Sequence, residues 1–222
     1  MAALAVGGGS GTAGAVVPPS TLPPTDTAVP SGETMPELPV PSPPPLDNEL
    51  EPQQYYGRIR IPKIDVDSPL LEGIRLSTLD YGPGHWPGTA MPGELGNTVF
   101  AGHRTSHNAD FRRLDELVAG DEIIFDLDNS DGIPTATVVP DDPFGGVYVY
   151  HVTSVFRVPP SGMWVVSQNY RHEATLFACH PPGSVAERII VQADLVTVNG
   201  DPAPVPADQP RVEPTQTTVL EA

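Results

Sequence analysis

Between about residues 55 and 198, apolar and polar positions alternate in short runs, each closed by Gly, Pro or Asp. GRIRIPKIDVDSPLL opens the series, with Ile59, Ile61, Ile64 and Val66 set against polar neighbours. Pro62 lacks an N–H to donate to a sheet, so it marks an edge or a break between two strands. NTVFAGH predicts a strand ending in a turn, and DEIIFDLD a further strand. VYVYHVTSVFRV is a long strand with β-branched and aromatic residues on alternate positions. EATLFAC and ERIIVQADLVTV complete the set. The best helical candidate is ADFRRLDELVAGD, with Gly120 as its C-cap. Six to eight strands with few helices predict an all-β barrel or sandwich over residues 54–198.

The flanks have a different texture. Residues 1–53 are rich in Pro, Ser and Thr, and their only charges are acidic. Such a composition buries too little apolar surface to offset chain entropy, which predicts a disordered Pro-rich linker. Polyproline II extends roughly 3.1 Å per residue, so the segment suits a spacer. Residues 199–222 predict a second, shorter disordered tail. Residues 129–146, rich in Gly, Pro and Asp, form a loop between two strands.

Composition then removes whole classes of function. Of 222 residues, 28 are acidic and 11 are Lys or Arg, a net charge of −17. Phosphate backbones are held by Lys and Arg, so nucleic acid is not an expected partner. A single cysteine, Cys179, excludes an internal disulfide. The first basic residue is Arg58, so the start has no positive n-region of a secretory signal, and no run is long and apolar enough to span a bilayer.

Three residues stand where β scaffolds carry chemistry. Cys179 ends the run EATLFAC, and HPPG is expected to stop that strand at the thiol. His103 ends NTVFAGH, behind Gly102, which permits a close backbone approach or an unusual dihedral. Thiolate is the attacking form of cysteine, and an imidazole can serve as acid to a leaving amine. Arg188 opens RIIVQADL and could donate to an oxyanion or a substrate carbonyl. Taken singly, each has a plain alternative: a buried thiol, a surface histidine, a solvated arginine.

Metal is the rival use of these residue types. Cys179 and His180 are adjacent, and His103 and His107 are spaced i, i+4. Structural zinc sites use paired spacings, however, and RTSHNAD reads as a loop that would not align both rings. Asp126, Asp128, Asp131, Asp141 and Asp142 do not follow the spacing of an EF-hand. The expectation is no metal and no cofactor.

Taken together, GPGHWPGTAMPGELGNTVFAGHRTSHNADFRRLDEL and the downstream TLFACHPPGSVAER resemble the sortase family, with greatest similarity to its class E members. The resemblance covers residues 56–198. It implies a closed eight-stranded β-barrel with one or two short helices, acting as a cysteine transpeptidase. Such enzymes cleave an LPxTG- or LAxTG-type sorting signal between Thr and Gly. They then join the Thr carboxyl to an amine on a cell-wall precursor or a protein. Carried onto this chain, Cys179 is the nucleophile, His103 the acid/base and Arg188 the residue that steadies substrate and oxyanion. The implied partners are signal-bearing surface proteins and an amine acceptor, and the expected state is a monomer on the outer face of the cell membrane.

Two positions depart from the family pattern. Ala178 stands where many sortases have Thr before the cysteine, and Trp86 where class E members are expected to have Tyr. Both are candidate substrate-binding residues. The membrane anchor that such a linker serves is not evident in the sequence and is expected upstream of Met1 or to have been removed. Two further readings stay open beside the transpeptidase. One is a hydrolase on the same barrel; the other is a silent barrel that binds sorting-signal peptides or cell-wall fragments.

Overall fold

The computed structural model of the chain describes residues 36–45, 50, 52–129, 131 and 144–204. Most of the expected linker, residues 132–143 of the expected loop, and the tail beyond residue 204 lie outside the described residues.

Among the described residues nine strands make one sheet. They are β1 (Tyr55–Ile61), β2 (Val66–Glu72), β3 (Gly84–His85), β4 (Gly96–Ala101), β5 (Glu122–Asp126), β6 (Val147–Val158), β7 (His172–His180), β8 (Glu187–Val198) and β9 (Asp201–Pro202). The hydrogen-bonded order is β6-β5-β1-β2-β3-β4-β7-β8-β9, and β6 also pairs with β8. That last pairing closes β1 to β8 into an eight-stranded barrel, with β9 as an added edge on β8. The barrel expected from the sequence is therefore present. Pro62 does break two strands: it begins a 3-10 turn, Pro62–Ile64, and Asp65 follows in the left-handed region before β2 starts.

Alternation sets the inside. In β1, Ile59 and Ile61 are fully buried while Arg58 and Arg60 face out. Phe125 on β5 packs at 5.1 Å on Phe100 from β4 and at 5.4 Å on Tyr150 from β6. Leu70, Leu176 and Val191 fill the remaining interior.

The expected helix over 109–121 is replaced by turns, with one 3-10 turn at Leu114–Glu116. The reason is in the spacing. Phe111, Leu114 and Leu117 recur every third residue, the period of a 3-10 helix, and all three are buried. Ala109 has φ 49° and Leu117 is extended, so neither end fits a helix. Gly120 has φ 95° and donates its N–H to Val152 O, which ties the turn to the barrel wall rather than capping a helix. Among the described residues the one α-helical turn is α1 (Leu76–Leu79), between β2 and β3.

The motifs of the two halves meet here. Arg104, directly after His103, is 2% exposed and ion-pairs with Asp115 at 2.7 Å. The pair fastens the loop after β4 to the 3-10 turn.

Candidate active site

Strands β4, β7 and β8 build the site. β7 runs parallel to β4 and antiparallel to β8. Along β7, Ala174, Leu176 and Ala178 face the barrel core, so Phe177 and Cys179 face the other way, onto the outer wall. The strand continues one residue past the expected stop, to His180. That extra residue sets the pairing: Cys179 stands directly opposite Arg188. Opposed residues on an antiparallel pair project from the same face, with Cβ atoms roughly 5 Å apart. Phe177 and Ile190 are the next such pair, and Phe177 also neighbours Ala101 on β4.

These side chains floor a groove of about 340 Å³ on the barrel's exterior. Cys179, Arg188 and His103 all line it. One wall is the turn Met163–Val166 and the other is α1 with Ile74. A second apolar cluster, separate from the barrel core, underlies it: Trp86, Val99, Val158, Val165, Val166 and Ile190. The groove is thus apolar with few polar groups, the usual make-up of a peptide or ligand cleft.

His103 is held from one side. Its Nε2 lies 3.0 Å from Asp80 Oδ1. A carboxylate accepts and does not donate, so Nε2 carries the proton and Nδ1 is left for exchange. Asp80 directly follows α1, where its N–H bonds Leu76 O. His107 Nδ1 approaches the same Asp80 oxygen at 2.9 Å, and the two imidazole rings stack at 5.3 Å. The expectation that RTSHNAD would keep these rings apart is therefore overturned. His107 sits at φ 51°, and that left-handed turn folds its ring back over His103. Gly102 acts through close approach: a Cβ there would lie 2.5 Å from the Phe111 ring.

Arg188 donates from Nη1 to Val185 O and Glu187 O, both at 3.0 Å. A guanidinium has five N–H donors, so most of its capacity remains for a ligand.

The two other candidates fall in different places. Ala178 borders the groove, but its methyl packs in the barrel core and it is 2% exposed. Trp86 lines the groove with its ring 5.9 Å from Phe177. It is covered by a part of the chain that composition assigned to the linker. Within residues 37–45, Val40 and Ser42 lie against the Trp86–Gly88 loop. Ser42 donates to Pro87 O and Trp86 Nε1 donates to Ser42 O, each at 2.8 Å. Gly88 has φ 80°, and a Cβ on it would lie 2.3 Å from Val40 O. Pro44 and Pro45 reach the groove itself. Sequence reasoning missed this strap, and Asp80 and His107 as neighbours of His103. The Asp80 and strap contacts join residues more than 20 positions apart, and no local pattern marks them.

The other buried histidines differ in kind. His85 Nδ1 donates to Glu72 at 2.8 Å inside the Pro/Gly loop, a structural role away from the groove.

Comparison with known proteins agrees with this architecture. The family model for the Sortase domain matches residues 59–196. Sortase D of Bacillus subtilis is 28% identical over 148 residues, covering 65% of this chain and 65% of its own length. Sortase SrtE1 of Streptomyces coelicolor is 30% identical over 163 residues, 66% of this chain but 42% of that protein. The chain thus spans less than two thirds of the length of these relatives. Among solved structures, Sortase E1 of Streptomyces coelicolor with a tripeptide in the active site has a TM-score of 0.55 at 27% identity, covering 65% of this chain and 90% of that one. Sortase A of Corynebacterium diphtheriae gives 0.55 at 26% identity, covering 65% and 62%. With its closed barrel, its outer groove and the match over residues 59–196, the chain belongs to the sortase family.

Proposed function

We propose that the chain is a cysteine transpeptidase that cleaves an LPxTG- or LAxTG-type sorting signal between Thr and Gly and joins the Thr carboxyl to an amine. The observation that carries this reading is the direct opposition of Cys179 and Arg188, with His103 in the same groove.

The steps follow from the groups. The Cys179 thiolate attacks the Thr carbonyl. Arg188 donates hydrogen bonds to the oxyanion, where charge develops. The C–N bond to Gly breaks as His103 delivers a proton from Nδ1 to the leaving amine. A thioester on Cys179 remains. The acceptor amine then attacks it, loses its proton to His103, and expels the thiolate with a new amide formed. The apolar walls suit the leucine and the small or cyclic side chain at the head of such a signal. A similar solved protein from Clostridium perfringens, at 34% identity and a TM-score of 0.50, is described as a transpeptidase.

Assignment to class E rests on the similarity to SrtE1, and Trp86 in place of Tyr puts this chain's signal preference in its own category. The proposed setting is the outer face of the cell envelope, with the Pro-rich segment as spacer.

The test is mass spectrometry of the full chain with an LAxTG peptide, with and without an amine acceptor. The expected result is a Cys179 acyl adduct that resolves to a new amide, absent in Cys179→Ala. Free acid in the presence of every amine would replace the reading with a hydrolase. No adduct at all, with a thiol still reactive to iodoacetamide, would leave a peptide-binding barrel. Turnover needs thiolate and imidazolium together, so the rate should trace a bell against pH.

A further inference from the structure

Beside the groove, three side chains from two loops converge on one point: Asp80, His103 and His107. Asp80 Oδ1 receives both rings, at 3.0 Å from His103 Nε2 and 2.9 Å from His107 Nδ1. One ligand atom from each of the three lies within 4.8 Å of the other two. Only a few chemistries call for two imidazoles and a carboxylate gathered so tightly. The Asp80 oxygen accepts from both rings, which gathers three potential ligand groups at one point. His107 is also held in the left-handed region to reach it.

We propose that Asp80, His103 and His107 form a binding site for a divalent transition-metal ion of the Zn²⁺ class, and that metal on this site switches the proposed transpeptidase off. Two His and one carboxylate, with a fourth position open, is a donor set that suits zinc and its neighbours. Around a tetrahedral ion with Zn–N of about 2.0–2.1 Å, ligand atoms sit about 3.3 Å apart. Both Asp80 contacts, at 3.0 and 2.9 Å, are within about 0.4 Å of that spacing. The two ring nitrogens need approach by roughly 1.5 Å at most, a side-chain adjustment within stacked rings. His107 is half-exposed and Asp80 a third exposed, so an ion can enter from solvent. The chain's charge of −17 favours cations near it.

The ion takes the places of the Nε2 proton of His103 and the Nδ1 proton of His107, which pass to the other ring nitrogen or to water. A ring bound through Nε2 cannot take up a second proton and become imidazolium. His103 then has no acid form to offer the leaving amine. Metal binding stands on the geometry alone, while its effect on turnover rests on the transpeptidase reading.

The experiment separates the two. Zn²⁺ is titrated calorimetrically into the full chain carrying Cys179→Ala, which removes the competing thiol. The expected result is one saturable site per chain, weakened about tenfold or more by His107→Asn or Asp80→Asn. Asn tolerates the left-handed backbone at 107, so the loop is kept. In the chain with its thiol, Zn²⁺ should stop transpeptidation, EDTA should restore it, and His107→Asn should need about tenfold more Zn²⁺ for the same loss. The site is overturned if the Cys179→Ala chain shows no saturable binding, or if His107→Asn binds as tightly as before. Binding that is intact without any effect on a measured transpeptidation rate overturns the switch and keeps the site. A chain with no transpeptidation under any acceptor defeats the functional reading instead, and the calorimetry still decides the metal.

Discussion

Gly102 is where the sequence and the site meet most tightly at the scale of one residue. A methyl at this position would sit 2.5–2.9 Å from the Phe111 ring, closer than carbon atoms pack. Gly102→Ala must therefore shift Phe111, which is fully buried, or His103, which follows directly. We expect a loss of about 1–3 kcal/mol in stability from this overpacking, read by thermal unfolding, and a drop in kcat as His103 moves. Nearby, Asp110 has its affinity for protons raised, chiefly by burial, against opposing pulls from the Ser68 hydroxyl, a backbone hydrogen bond and, least, His103. A raised acid is costly to the fold once ionised. That cost is absent below an aspartate's ordinary 3.8, where both states hold the proton, and grows as pH rises through the raised value. Asp110→Asn should then raise Tm at pH 7 and leave it nearly unchanged at pH 3. The strand ends marked Cys179, His103 and Arg188 as candidates one by one, the sortase resemblance grouped them, and the structure brings all three to one groove. Asp80 carried no such sign; its meaning lies in a hydrogen bond to a residue 23 positions away.

At the scale of elements, the segment Phe111–Leu117 and the strap 36–45 show what pattern reading can and cannot give. The three-residue spacing of Phe111, Leu114 and Leu117 was on view, but polar neighbours made it resemble an amphipathic helix. The tertiary tie of Arg104 to Asp115 then holds the turn in place. Asp115→Ala leaves a buried guanidinium without its partner. Asp115 is partly exposed, so water softens the loss to about 1–3 kcal/mol, measurable by denaturant unfolding. For the strap, composition predicted a disordered linker and could not reveal that part of it rests on the Trp86–Gly88 loop. Its hydrogen bonds contribute about 1 kcal/mol each at most. Deleting residues 1–45 should therefore raise kcat/KM severalfold, up to about tenfold, and shift Trp86 emission toward that of a solvated indole. A fall in kcat/KM would mean instead that the strap helps to hold the peptide.

At the scale of the molecule, closure through β6 and β8 gives every strand of the barrel two neighbours. No strand can leave alone, so unfolding should be one cooperative transition. Phe125→Ala, at the meeting of β1, β4, β5 and β6, should cost about 3–5 kcal/mol and lower Tm with near-UV and far-UV signals still coincident. Alternation marked the long strands along the chain and a range of six to eight in all, but not their order in the sheet. The parallel pairings β2 with β3 and β4 with β7 were not, because nothing local distinguishes a parallel neighbour. Of the two tryptophans, Trp86 lines the groove and Trp164 stacks on Phe156, so a change in Trp86 emission is read against a second indole outside the groove lining. The placement of Cys179 on the outer wall has a final consequence. A catalyst whose thiol lies inside a barrel can process only what fits through the mouth. On the proposed function Cys179 lies in an outer groove rather than a lumen, so a client would have to present only a few extended residues. Whatever is attached to their ends, a folded domain on one side or a polymer on the other, sets no limit on size.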